Sequence, residues 1–526
     1  MRYLLQDDFI ASVKRFPDNT AIFVEGGKHV TYKELNRLSN RFSNYIKSQK
    51  SEAGDTPFVG ILSSVHISSI AAVLGTLKIG CAYIPLDEYS PTERLMNILN
   101  TTQLDILFID PLLYEEHKEL LTAPTLKKMV LLDQSTQIRE DRVDTFQSVL
   151  DSLDTEPSMS NQVSDDLAYI LHSSGSTGIP KGIMLTHRNA RTFVDWMQKE
   201  FKLTQDDVVM SRAPFKFDLS VFDIFNTLKV GAKLVCYDWT NKRDDESKHR
   251  EYVSLMEQQK ATILYTTPST FIVLLNKGGL GKAELHLREI MYAGEPFPTP
   301  QLRKLQEALP HTRIANIYGP TETNIITYYW IDTIPEDDSP IPLGYVVEDT
   351  EILVVSEDGK RICDVEELGE LWCRGGTVTL GYLGMPDKTS QLLVQSPFHM
   401  YPATFCRTGD FGFRDKEGLL HYKGRKDHMV KVLGFRIELG EIENALAQNS
   451  SLDEFAVVAV PDEKYGNKLY CYYSVIKGSS VQKNVLKEFL SSKIPNYMIP
   501  FAFIEKKIMP KTSSGKIDRV LLAHEV

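Results

Sequence analysis

Segments with helical periodicity alternate with short apolar runs over roughly the first 425 residues of this chain. Residues 31–46 form one helical pattern, in which Thr31 and Glu34 have the spacing of a capping box, and the apolar run 57–62 follows it. Residues 66–85 repeat this order, with a helix that is predicted to end near Gly80 and a strand that reaches Pro85. Such alternation indicates α/β layers, in which helices cover sheets.

The character of the sequence changes near Gly424, where we predict a second domain. A charged turn is followed by a short alternating hairpin around Gly434 and by a helix that begins near Leu439. Two strand patterns and one further helix pattern follow. Because a chain of 526 residues is too long for one ordinary core, we expect an N-terminal core of residues 1–426 and a small α+β domain of residues 427–526.

Composition and charge restrict the possible classes of function. The chain is 42% hydrophobic and 25% charged, as is typical of a soluble globular protein. Its formal net charge of −11 gives no overall electrostatic reason to expect a nucleic acid or a membrane as partner. Asp7 and Asp8 interrupt the apolar core that a signal peptide requires, and no run of about 18 apolar residues occurs. We therefore expect a cytoplasmic protein that acts on small molecules.

Between two apolar runs, residues 173–182 read SSGSTGIPKG. They do not form a Walker A loop, because Pro180 separates the glycines from Lys181 and Gly182 follows the lysine. Glycines nevertheless allow a tight turn whose N–H groups bind anions, and the hydroxyl groups and the lysine add donors and charge. A surface linker is the alternative, but the flanking strands and the lysine favour a phosphate site.

This segment resembles the phosphate loop of the adenylate-forming superfamily, which includes acyl-CoA synthetases, luciferases and nonribosomal peptide synthetase adenylation domains. Further segments resemble the other core motifs of the superfamily and occur in its order: LKIGCAYIPLD, FKFDLSVFDIF, NIYGPTE, GELWCRGGTVTLGYL, RTGD, GRKDHMVKVLGFRIELGEIE and PKTSSGKIDR. The resemblance spans nearly the whole chain. It implies an α/β fold with a large N-terminal region of α/β subdomains and a small, mobile C-terminal α+β domain.

The resemblance implies that the enzyme joins a carboxylate to the α-phosphate of ATP and releases pyrophosphate. Lys516 corresponds to the catalytic lysine of the family, and Glu322 to the ligand of the Mg²⁺ that accompanies ATP. Without the motif, Lys516 would be interpreted as a solvated charge. The implied nucleotide-binding residues are Ser173, Ser174, Gly175, Ser176, Thr177, Gly178, Lys181, Gly294, Glu295, Asn316, Tyr318, Gly319, Thr321, Asp410, Arg425 and Lys516.

Within this set, the family places Tyr318 on adenine, Asp410 on the ribose hydroxyls and Arg425 beside the ribose. Read without the family, Asp410 would be a capping residue of a turn. Asp427 falls at the position of the family's hinge. Rotation about it is expected to present Lys516 for adenylation and afterwards to bring the Gly434 hairpin to a channel for an incoming thiol.

Asp218 determines which class of acid is expected. Amino-acid-activating members of the superfamily have an aspartate here that pairs with the substrate's α-ammonium, because a buried cation without a partner is costly. The expected pocket residues are Asp218, Leu219, Phe222, Tyr265, Met291, Ala293, Ile317, Ile325 and Ile326, with Lys516 beside the substrate carboxylate. These residues predict a shallow apolar pocket for a small amino acid. They resemble those of L-prolyl-carrier ligases, so proline is favoured, and D-alanine–carrier ligases are the alternative.

No GGxS-type phosphopantetheine attachment motif follows SSGKIDRVLL. The expected acceptor is therefore the phosphopantetheine thiol of a separate carrier protein, as in nonribosomal peptide and secondary metabolite synthesis, and coenzyme A is the alternative. Two other hypotheses are a non-catalytic nucleotide binder and a fatty or aryl acyl-CoA ligase. The full set of reactive residues argues against the first, and Asp218 argues against the second.

Overall fold

A computed structural model describes residues 3–50, 57–133, 140–157, 161–173, 180–239, 246–425, 429–462, 466–476, 481–511 and 517–526. The strands within these ranges are β1 (Thr20–Val24), β2 (His29–Thr31), β3 (Phe58–Leu62), β4 (Ala82–Pro85), β5 (Ile106–Ile109), β6 (Lys128–Leu131), β7 (Val143–Asp144), β8 (Leu167–Ser173), β9 (Lys181–Thr186), β10 (Val208–Met210), β11 (Lys233–Cys236), β12 (Ile263–Thr266), β13 (Glu289–Tyr292), β14 (Arg313–Tyr318), β15 (Thr327–Trp330), β16 (Tyr345–Val346), β17 (Thr350–Val355), β18 (Gly369–Gly375), β19 (Leu393–Gln395), β20 (Thr404–Arg414), β21 (Leu420–Arg425), β22 (Met429–Val432), β23 (Phe435–Glu438), β24 (Leu452–Asp462), β25 (Gly466–Val475) and β26 (Ala502–Glu505).

The helices are α1 (Asp7–Arg15), α2 (Tyr32–Gln49), α3 (Ile67–Lys78), α4 (Thr92–Thr102), α5 (Pro111–His117), α6 (Phe146–Leu150), α7 (His187–Phe201), α8 (Leu219–Val221), α9 (Thr227–Val230), α10 (Glu246–Gln258), α11 (Pro268–Val273), α12 (Thr299–Ala308), α13 (Pro386–Leu392), α14 (Leu439–Leu446), α15 (Lys483–Ser491) and α16 (Arg519–His524). A π-helical turn at Phe222–Asn226 joins α8 to α9, and another at Leu274–Gly278 extends α11. Short 3-10 segments lie at Lys118–Thr122, Leu280–Lys282 and Asn496–Met498.

The local patterns of the sequence form the predicted elements. Helix α2 begins directly after Thr31, whose hydroxyl accepts a hydrogen bond from the backbone N–H of Glu34. The Glu34 carboxylate accepts one from the backbone N–H of Thr31 at 2.8 Å, so the capping box is complete. Strands β3 and β4 and helix α3 also form, with α3 ending at Lys78. The expected α/β class is confirmed.

Two large sheets form most of the N-terminal region. One has the order β16-β15-β14-β13-β12-β10-β11-β1-β2, and the other has the order β7-β6-β5-β3-β4-β8-β9. The central strands of both are parallel and apolar, as expected for sheets covered on both faces. The largest buried cluster takes Ile22 from β1, Val59 from β3 and Tyr265 from β12, so one core supports both sheets.

A third sheet follows, with the order β17-β18-β20-β19 and with β21 paired to β20. Beyond it, β22 and β23 form an antiparallel hairpin whose turn contains Leu433 and Gly434, both with positive φ. Helix α14 packs near β24 of the last sheet, which has the order β24-β25-β26. The predicted hairpin, helix and strands of this region are therefore present. The proposed boundary at residues 426 and 427 lies outside the described residues.

None of the helices in the described ranges is both long and apolar enough to cross a membrane.

Candidate active site

Three neighbouring parallel strands end at one edge of the nine-stranded sheet. Strand β12 ends at Thr266, β13 is followed by Ala293 and Gly294, and β14 is followed by Gly319. In open α/β sheets, ligands bind beyond the carboxyl ends of the strands. Residues that are predicted to contact the amino acid and the nucleotide therefore lie side by side at this edge.

A cavity of about 230 Å³ opens beside these strand ends. We call it the Asp218 cavity, after its acidic residue. Five of the predicted pocket residues border it: Asp218, Leu219, Tyr265, Ala293 and Ile325. The predicted nucleotide residues Gly294, Gly319, Thr321, Asp410 and Arg425 border it as well. The cavity thus joins the two predicted parts of the site.

The other four predicted pocket residues, Phe222, Met291, Ile317 and Ile326, do not border the Asp218 cavity. All four are fully buried. The ring of Phe222 packs edge-on against Tyr265, with 5.4 Å between the ring centroids, and so supports the wall from behind. The pocket is accordingly shallower than a pocket lined by all nine side chains.

Asp218 stands at the position before α8, but its side chain makes no capping hydrogen bond to that helix. Burial removes water from the carboxyl group and raises its pKa to about 6, although Lys431 and Thr321 favour the charged form. Phe217, Leu219 and Tyr265 supply apolar surface around it. A carboxylate in this setting gains strongly from a cationic ligand.

The three residues predicted to hold the nucleoside meet in the structure. The Tyr318 hydroxyl donates a hydrogen bond to Oδ2 of Asp410 at 2.6 Å. Nη1 of Arg425 donates to Oδ1 of Asp410 at 2.8 Å, which follows from the pairing of these residues across β20 and β21. The buried carboxylate of Asp410 is therefore fixed in position next to the cavity.

Two glycines of the predicted nucleotide site lie where a side chain is disfavoured, one for lack of space and one because of its backbone angle. A Cβ atom on Gly319 would lie 1.6 Å from the carbonyl oxygen of Asn324, so the chain turns here without a side chain. Gly294 borders the cavity with a φ of +90°, which glycine adopts readily. These turns allow the backbone to approach a ligand closely.

Asn316 and Glu295 lie further from the predicted nucleotide. The Asn316 side chain donates to the carbonyl oxygen of Pro342 at 2.7 Å and borders neither of the cavities described here. The Glu295 carboxylate accepts from the backbone N–H of Ser269 at 3.3 Å and also from the Ser269 hydroxyl. Burial raises the pKa of Glu295. The Asn316 side chain thus holds the segment at Pro342, and the Glu295 side chain holds the first turn of α11.

A second cavity, of about 270 Å³, adjoins the first. We call it the Glu322 cavity. Its charged lining residues are Lys181, Lys388, Arg407, Arg425, Arg436, Glu322, Glu370 and Glu438, and the two cavities share Pro320, Arg425, Met429 and Arg436. A space with five basic side chains beside the nucleoside residues suits a polyphosphate.

Glu322 is almost completely buried in this second cavity. Its Oε2 atom lies 2.6 Å from Nη1 of Arg436, and the Tyr382 hydroxyl donates to its Oε1 atom at 2.8 Å. Burial alone would raise the pKa of Glu322, but Arg436, Lys181 and Tyr382 lower it to about 2. The side chain is therefore a carboxylate at every physiological pH.

The described residues on either side of the phosphate segment belong to two paired antiparallel strands. Strand β8 ends at Ser173, which pairs with Lys181 at the start of β9. Nζ of Lys181 lies 2.6 Å from Oε1 of Glu438. Ser174, Gly175, Ser176, Thr177 and Gly178 lie outside the described residues, as do the predicted catalytic residue Lys516 and the predicted hinge residue Asp427.

The β22–β23 hairpin of the C-terminal region lies over the site. Gly434 and Lys431 border the Asp218 cavity. A Cβ atom on Gly434 would lie 2.8 Å from Cγ2 of Thr267, so this turn requires a glycine. Phe435 packs against Phe217, with 5.3 Å between their ring centroids.

Sequence reasoning missed Lys431, Arg436, Glu438 and Tyr382 as members of the site. One signal was available for two of them. Arg436 and Glu438 are two positions apart in a segment predicted as a strand, so they lie on the same face of it. The sequence did not show which surface that face would meet.

The residues around Glu322 fit the Mg²⁺ that accompanies ATP. Mg²⁺ is commonly held by one or two carboxylates together with phosphate oxygens and water. Among the described residues, no group of three or more histidine, cysteine, aspartate or glutamate side chains is placed to hold a metal by itself. The buried carboxylate of Glu322, next to several basic side chains, is consistent with a metal that arrives with its phosphates.

Comparisons with known proteins agree with this geometry. A model of the AMP-binding enzyme family matches residues 9–383, and a model of the AMP-binding enzyme C-terminal domain matches residues 441–516. The chain is 32% identical over 525 residues to the L-proline–[L-prolyl-carrier protein] ligase of Pseudomonas fluorescens, which is 99% of each chain. It is also 32% identical to the D-alanine–D-alanyl carrier protein ligase of Bacillus cytotoxicus, over 97% of each chain.

Among solved structures, the Vibrio cholerae adenylation domain AlmE in complex with glycyl-adenosine-5′-phosphate has the same fold. The TM-score is 0.83 at 23% identity, and the match covers 99% of this chain and 97% of that one. A family model that matches most of the chain, and two relatives matched over nearly their full length, lead to one conclusion. This protein belongs to the AMP-binding enzyme family, within the adenylate-forming superfamily.

Proposed function

We propose that this enzyme activates a small apolar α-amino acid, for which L-proline is the best candidate, and transfers it to a carrier protein. In the first step, a carboxylate oxygen of the amino acid attacks the α-phosphorus of ATP, and pyrophosphate leaves with the bonding electron pair. In the second step, a phosphopantetheine thiolate attacks the carbonyl carbon of the aminoacyl-adenylate. The bond to the phosphate oxygen breaks, AMP leaves, and a thioester remains.

The observation that carries this proposal is the environment of Asp218. Its carboxyl group faces a cavity with apolar neighbours and has a pKa raised to about 6 by burial. Such a carboxylate costs free energy in the empty enzyme and is stabilised when an ammonium group binds. An acyl or aryl acid has no ammonium group and would bring no positive charge to this carboxylate.

The described nucleotide residues have roles that suit the first step. Asp410, fixed by Tyr318 and Arg425, accepts hydrogen bonds from the ribose hydroxyls. Lys181 and the neighbouring basic side chains of the Glu322 cavity attract the phosphates. Because charge builds on phosphate oxygens during the transfer, fixed cations at this place lower the barrier.

Two further roles are proposed for this step. Mg²⁺ bound with ATP neutralises phosphate charge, and Glu322 would hold it. Lys516 would reach the substrate carboxylate and the α-phosphate from the C-terminal region, as its motif implies. Substituting Lys516 by alanine should therefore abolish adenylate formation.

The C-terminal hairpin is proposed to serve the second step. Gly434 and Leu433 border the Asp218 cavity, and the glycine leaves space beside Thr267 that a side chain would fill. A thiol arm that passes along this hairpin would reach the carbonyl carbon held near Asp218. The orientation of the hairpin in this structure therefore suits thioester formation.

The shape of the cavity supports a small substrate. Phe222 packs edge-on against Tyr265, Met291 is fully buried, and neither side chain borders the cavity. L-Proline and D-alanine both satisfy this restriction, and the two ligases reported above carry these substrates in their names. L-Proline is preferred because its ring covers more of the apolar wall formed by Leu219, Tyr265 and Ile325.

Amino-acid-dependent ATP–pyrophosphate exchange tests this proposal. The panel contains L-proline, D-proline, L-alanine, D-alanine, glycine, L-valine, acetate and benzoate. The proposal predicts the highest kcat/KM for L-proline and negligible exchange with acetate and benzoate. A preference for D-alanine would replace the favoured substrate but keep the reaction. Exchange with acetate or benzoate and with no amino acid would overturn the proposal.

A further inference from the structure

Two cysteines lie opposite each other in the third sheet. Cys373 of β18 and Cys406 of β20 are direct partners in the antiparallel ladder, and both side chains are fully buried with free thiols. Directly opposite residues of such a ladder have Cα atoms about 4.5–5.5 Å apart, a separation that a disulfide also spans. Their Cβ atoms would have to approach by about 1 Å to form the bond. The register of the sheet therefore permits this pair to be joined.

The pair adjoins an irregularity that sets the position of Asp410. Beyond Cys406, the ladder between the two strands shifts register, because residues 408–410 of β20 lie opposite the single residue Leu371 of β18. Bulges of this kind re-aim side chains next to active sites. The Thr408 hydroxyl donates to the carbonyl oxygen of Leu371 at 2.7 Å and accepts from the backbone N–H of Asp410 at 3.0 Å. The position of Asp410 therefore depends on the spacing of the two strands.

One of the two thiols adjoins the Glu322 cavity. Cys406 is a lining residue of this cavity, and both cysteines belong to the buried cluster against which Tyr318 packs. A hydrogen bond with Cys373 and burial hold the pKa of Cys406 well above its usual value. The group is therefore largely a thiol at neutral pH and reacts slowly. A small, uncharged oxidant that enters the cavity meets Cys406 first and finds its partner directly beside it.

We propose that Cys373 and Cys406 form an oxidant-sensitive dithiol, which hydrogen peroxide converts into a cross-strand disulfide that displaces Asp410 and weakens nucleotide binding. The effect on the nucleotide rests on the proposed role of Asp410, whereas the formation of the disulfide does not. The dithiol contacts no reacting atom of the adenylation reaction. It is a modification site next to the nucleotide residues.

The oxidation proceeds in two steps. The Cys406 thiolate attacks one peroxide oxygen, the O–O bond breaks, and the hydroxide that leaves takes up a proton, so that a sulfenic acid and one water form. The sulfur of Cys373 then loses its proton and attacks the sulfenic sulfur. The S–O bond breaks, and the hydroxide leaves as a second water. The two thiols together supply the two electrons that reduce one peroxide to water.

The disulfide acts on the site through the bulge. Nη1 of Arg425 donates to the carbonyl oxygen of Thr408 at 3.0 Å and to Oδ1 of Asp410 at 2.8 Å. Because interiors are closely packed, a movement of about 1 Å at Cys406 is transmitted to its neighbours, and hydrogen bonds of this length do not tolerate it. Loss of one hydrogen bond between the Asp410 carboxylate and the ribose raises the Kd of a nucleotide about tenfold.

Peptide mapping of the whole protein after treatment with hydrogen peroxide tests the linkage. Digestion after glutamate residues under non-reducing conditions separates Cys363 from Cys373, because three glutamates lie between them. Mass spectrometry should find the peptides of Cys373 and Cys406 joined, with the loss of two hydrogen atoms. Cys363 packs against the same buried cluster and is the alternative partner. A link that involves Cys363, or oxidation without any link, would overturn the inference.

Titration calorimetry with AMP measures the effect on the nucleotide site. The oxidised protein should bind AMP at least about tenfold more weakly than the reduced protein, and dithiothreitol should restore the affinity. This comparison requires no variant to fold. Cys373→Ala and Cys406→Ala cannot form the link, so peroxide should change the Kd of each by less than about twofold from its own untreated value. Cys363→Ala is the matched control and should respond to peroxide as the parent does.

Two results would contradict the effect on the site. One is a linked peptide with unchanged AMP affinity, and the other is an equal loss of affinity in the two alanine variants that lack the link. Reduced protein that failed to bind AMP would instead contradict the proposed nucleotide site together with this effect. Neither measurement uses an amino acid, so a wrong substrate assignment would fail the exchange panel and leave these results intact.

Discussion

The ammonium group of Lys216 lies 2.6 Å from Oδ2 of Asp87, and both side chains are about nine-tenths buried. The Tyr497 hydroxyl, from the C-terminal region, donates to the same carboxylate oxygen at 3.0 Å. Lys216 also lies over the rings of Phe435 and Tyr497, 4.6 Å and 4.3 Å from their centroids. An ion pair of the N-terminal region is therefore completed by side chains of the C-terminal region.

Replacing Asp87 by asparagine should destabilise the protein. The change leaves the buried Lys216 ammonium without its carboxylate partner, which costs at least about 2 kcal/mol. Urea unfolding, monitored by tryptophan fluorescence, measures this loss of stability. The control variant Lys493→Gln breaks the pair between Lys493 and Glu93, in which Glu93 is more than half exposed. It should lower the free energy of unfolding by less than about 1 kcal/mol. Equal losses of stability in the two variants would show that the buried pair of Asp87 and Lys216 contributes no more than an exposed pair.

The use of the amino acid should depend on the ionisation of Asp218. Because the pKa of its carboxyl group is raised to about 6, the protonated form dominates below that pH and cannot pair with an ammonium group. The value of kcat/KM for the amino acid should fall about tenfold for each pH unit below the pKa.

A matched variant separates this effect from general acid damage. Asp223 lies in the same motif, is fully buried, has a pKa raised to about 8 by burial, and does not border the Asp218 cavity. Asp223→Asn should keep the pH profile of the parent protein, and Asp218→Asn should lose the step near pH 6. A step that persists in Asp218→Asn would assign it to another group.

Asp218→Asn should stabilise the protein without bound substrate at alkaline pH. The folded state raises the pKa of Asp218 above its unfolded value, so ionisation of this group disfavours folding as the pH rises from about 4 to about 6 and above. Asp218→Asn removes that cost, which is at most about 3 kcal/mol. Thermal melting should show a higher Tm for the variant at pH 8 and little difference at pH 4. A lower Tm at pH 8 would contradict the assigned burial.

Removing the Glu322 charge should weaken the use of Mg²⁺. The pKa of Glu322 is lowered to about 2, so its carboxylate is charged from pH 5 to pH 9 and adds no pH dependence there. Glu322→Gln should raise the Mg²⁺ concentration for half-maximal exchange at least about tenfold.

Glu370→Gln is the matched control, since Glu370 borders the same cavity and pairs with Arg407 at 2.7 Å. It should shift the Mg²⁺ requirement by less than about twofold. Titration of the exchange rate with MgCl₂ at constant ATP measures both variants. Similar shifts of the Mg²⁺ requirement in both variants would show that any loss of negative charge in the cavity has this effect. Glu322 would then have no specific role.

Local chemistry made much of the fold predictable. The capping box of Thr31 and Glu34, the hairpin around Gly434 and the helix that begins at Leu439 follow from interactions between residues close in sequence. The meeting of Tyr318, Asp410 and Arg425 was also expected, because each belongs to a motif of one nucleotide site.

Local patterns did not predict how deeply a side chain is buried near the cavity, or how the C-terminal region is oriented. A motif gives the position of Phe222 or Met291 along the chain, but packing decides whether the side chain borders the cavity or is buried away from it. The pairing of Arg436 with Glu322 joins residues 114 positions apart and depends on how the C-terminal region docks. Sequence periodicity shows which residues share a face of β23, and not what that face meets.

The comparison of L-proline with cyclopentanecarboxylate tests the central claim most directly, because the two acids differ only in the amino group. The measured quantity is the ratio of their kcat/KM values in ATP–pyrophosphate exchange, for the parent protein and for Asp218→Asn. Pairing of Asp218 with the ammonium group predicts a strong preference for L-proline that falls about 100-fold or more in the variant. An equal preference in the two proteins would contradict the pairing and remove the basis for an amino acid substrate.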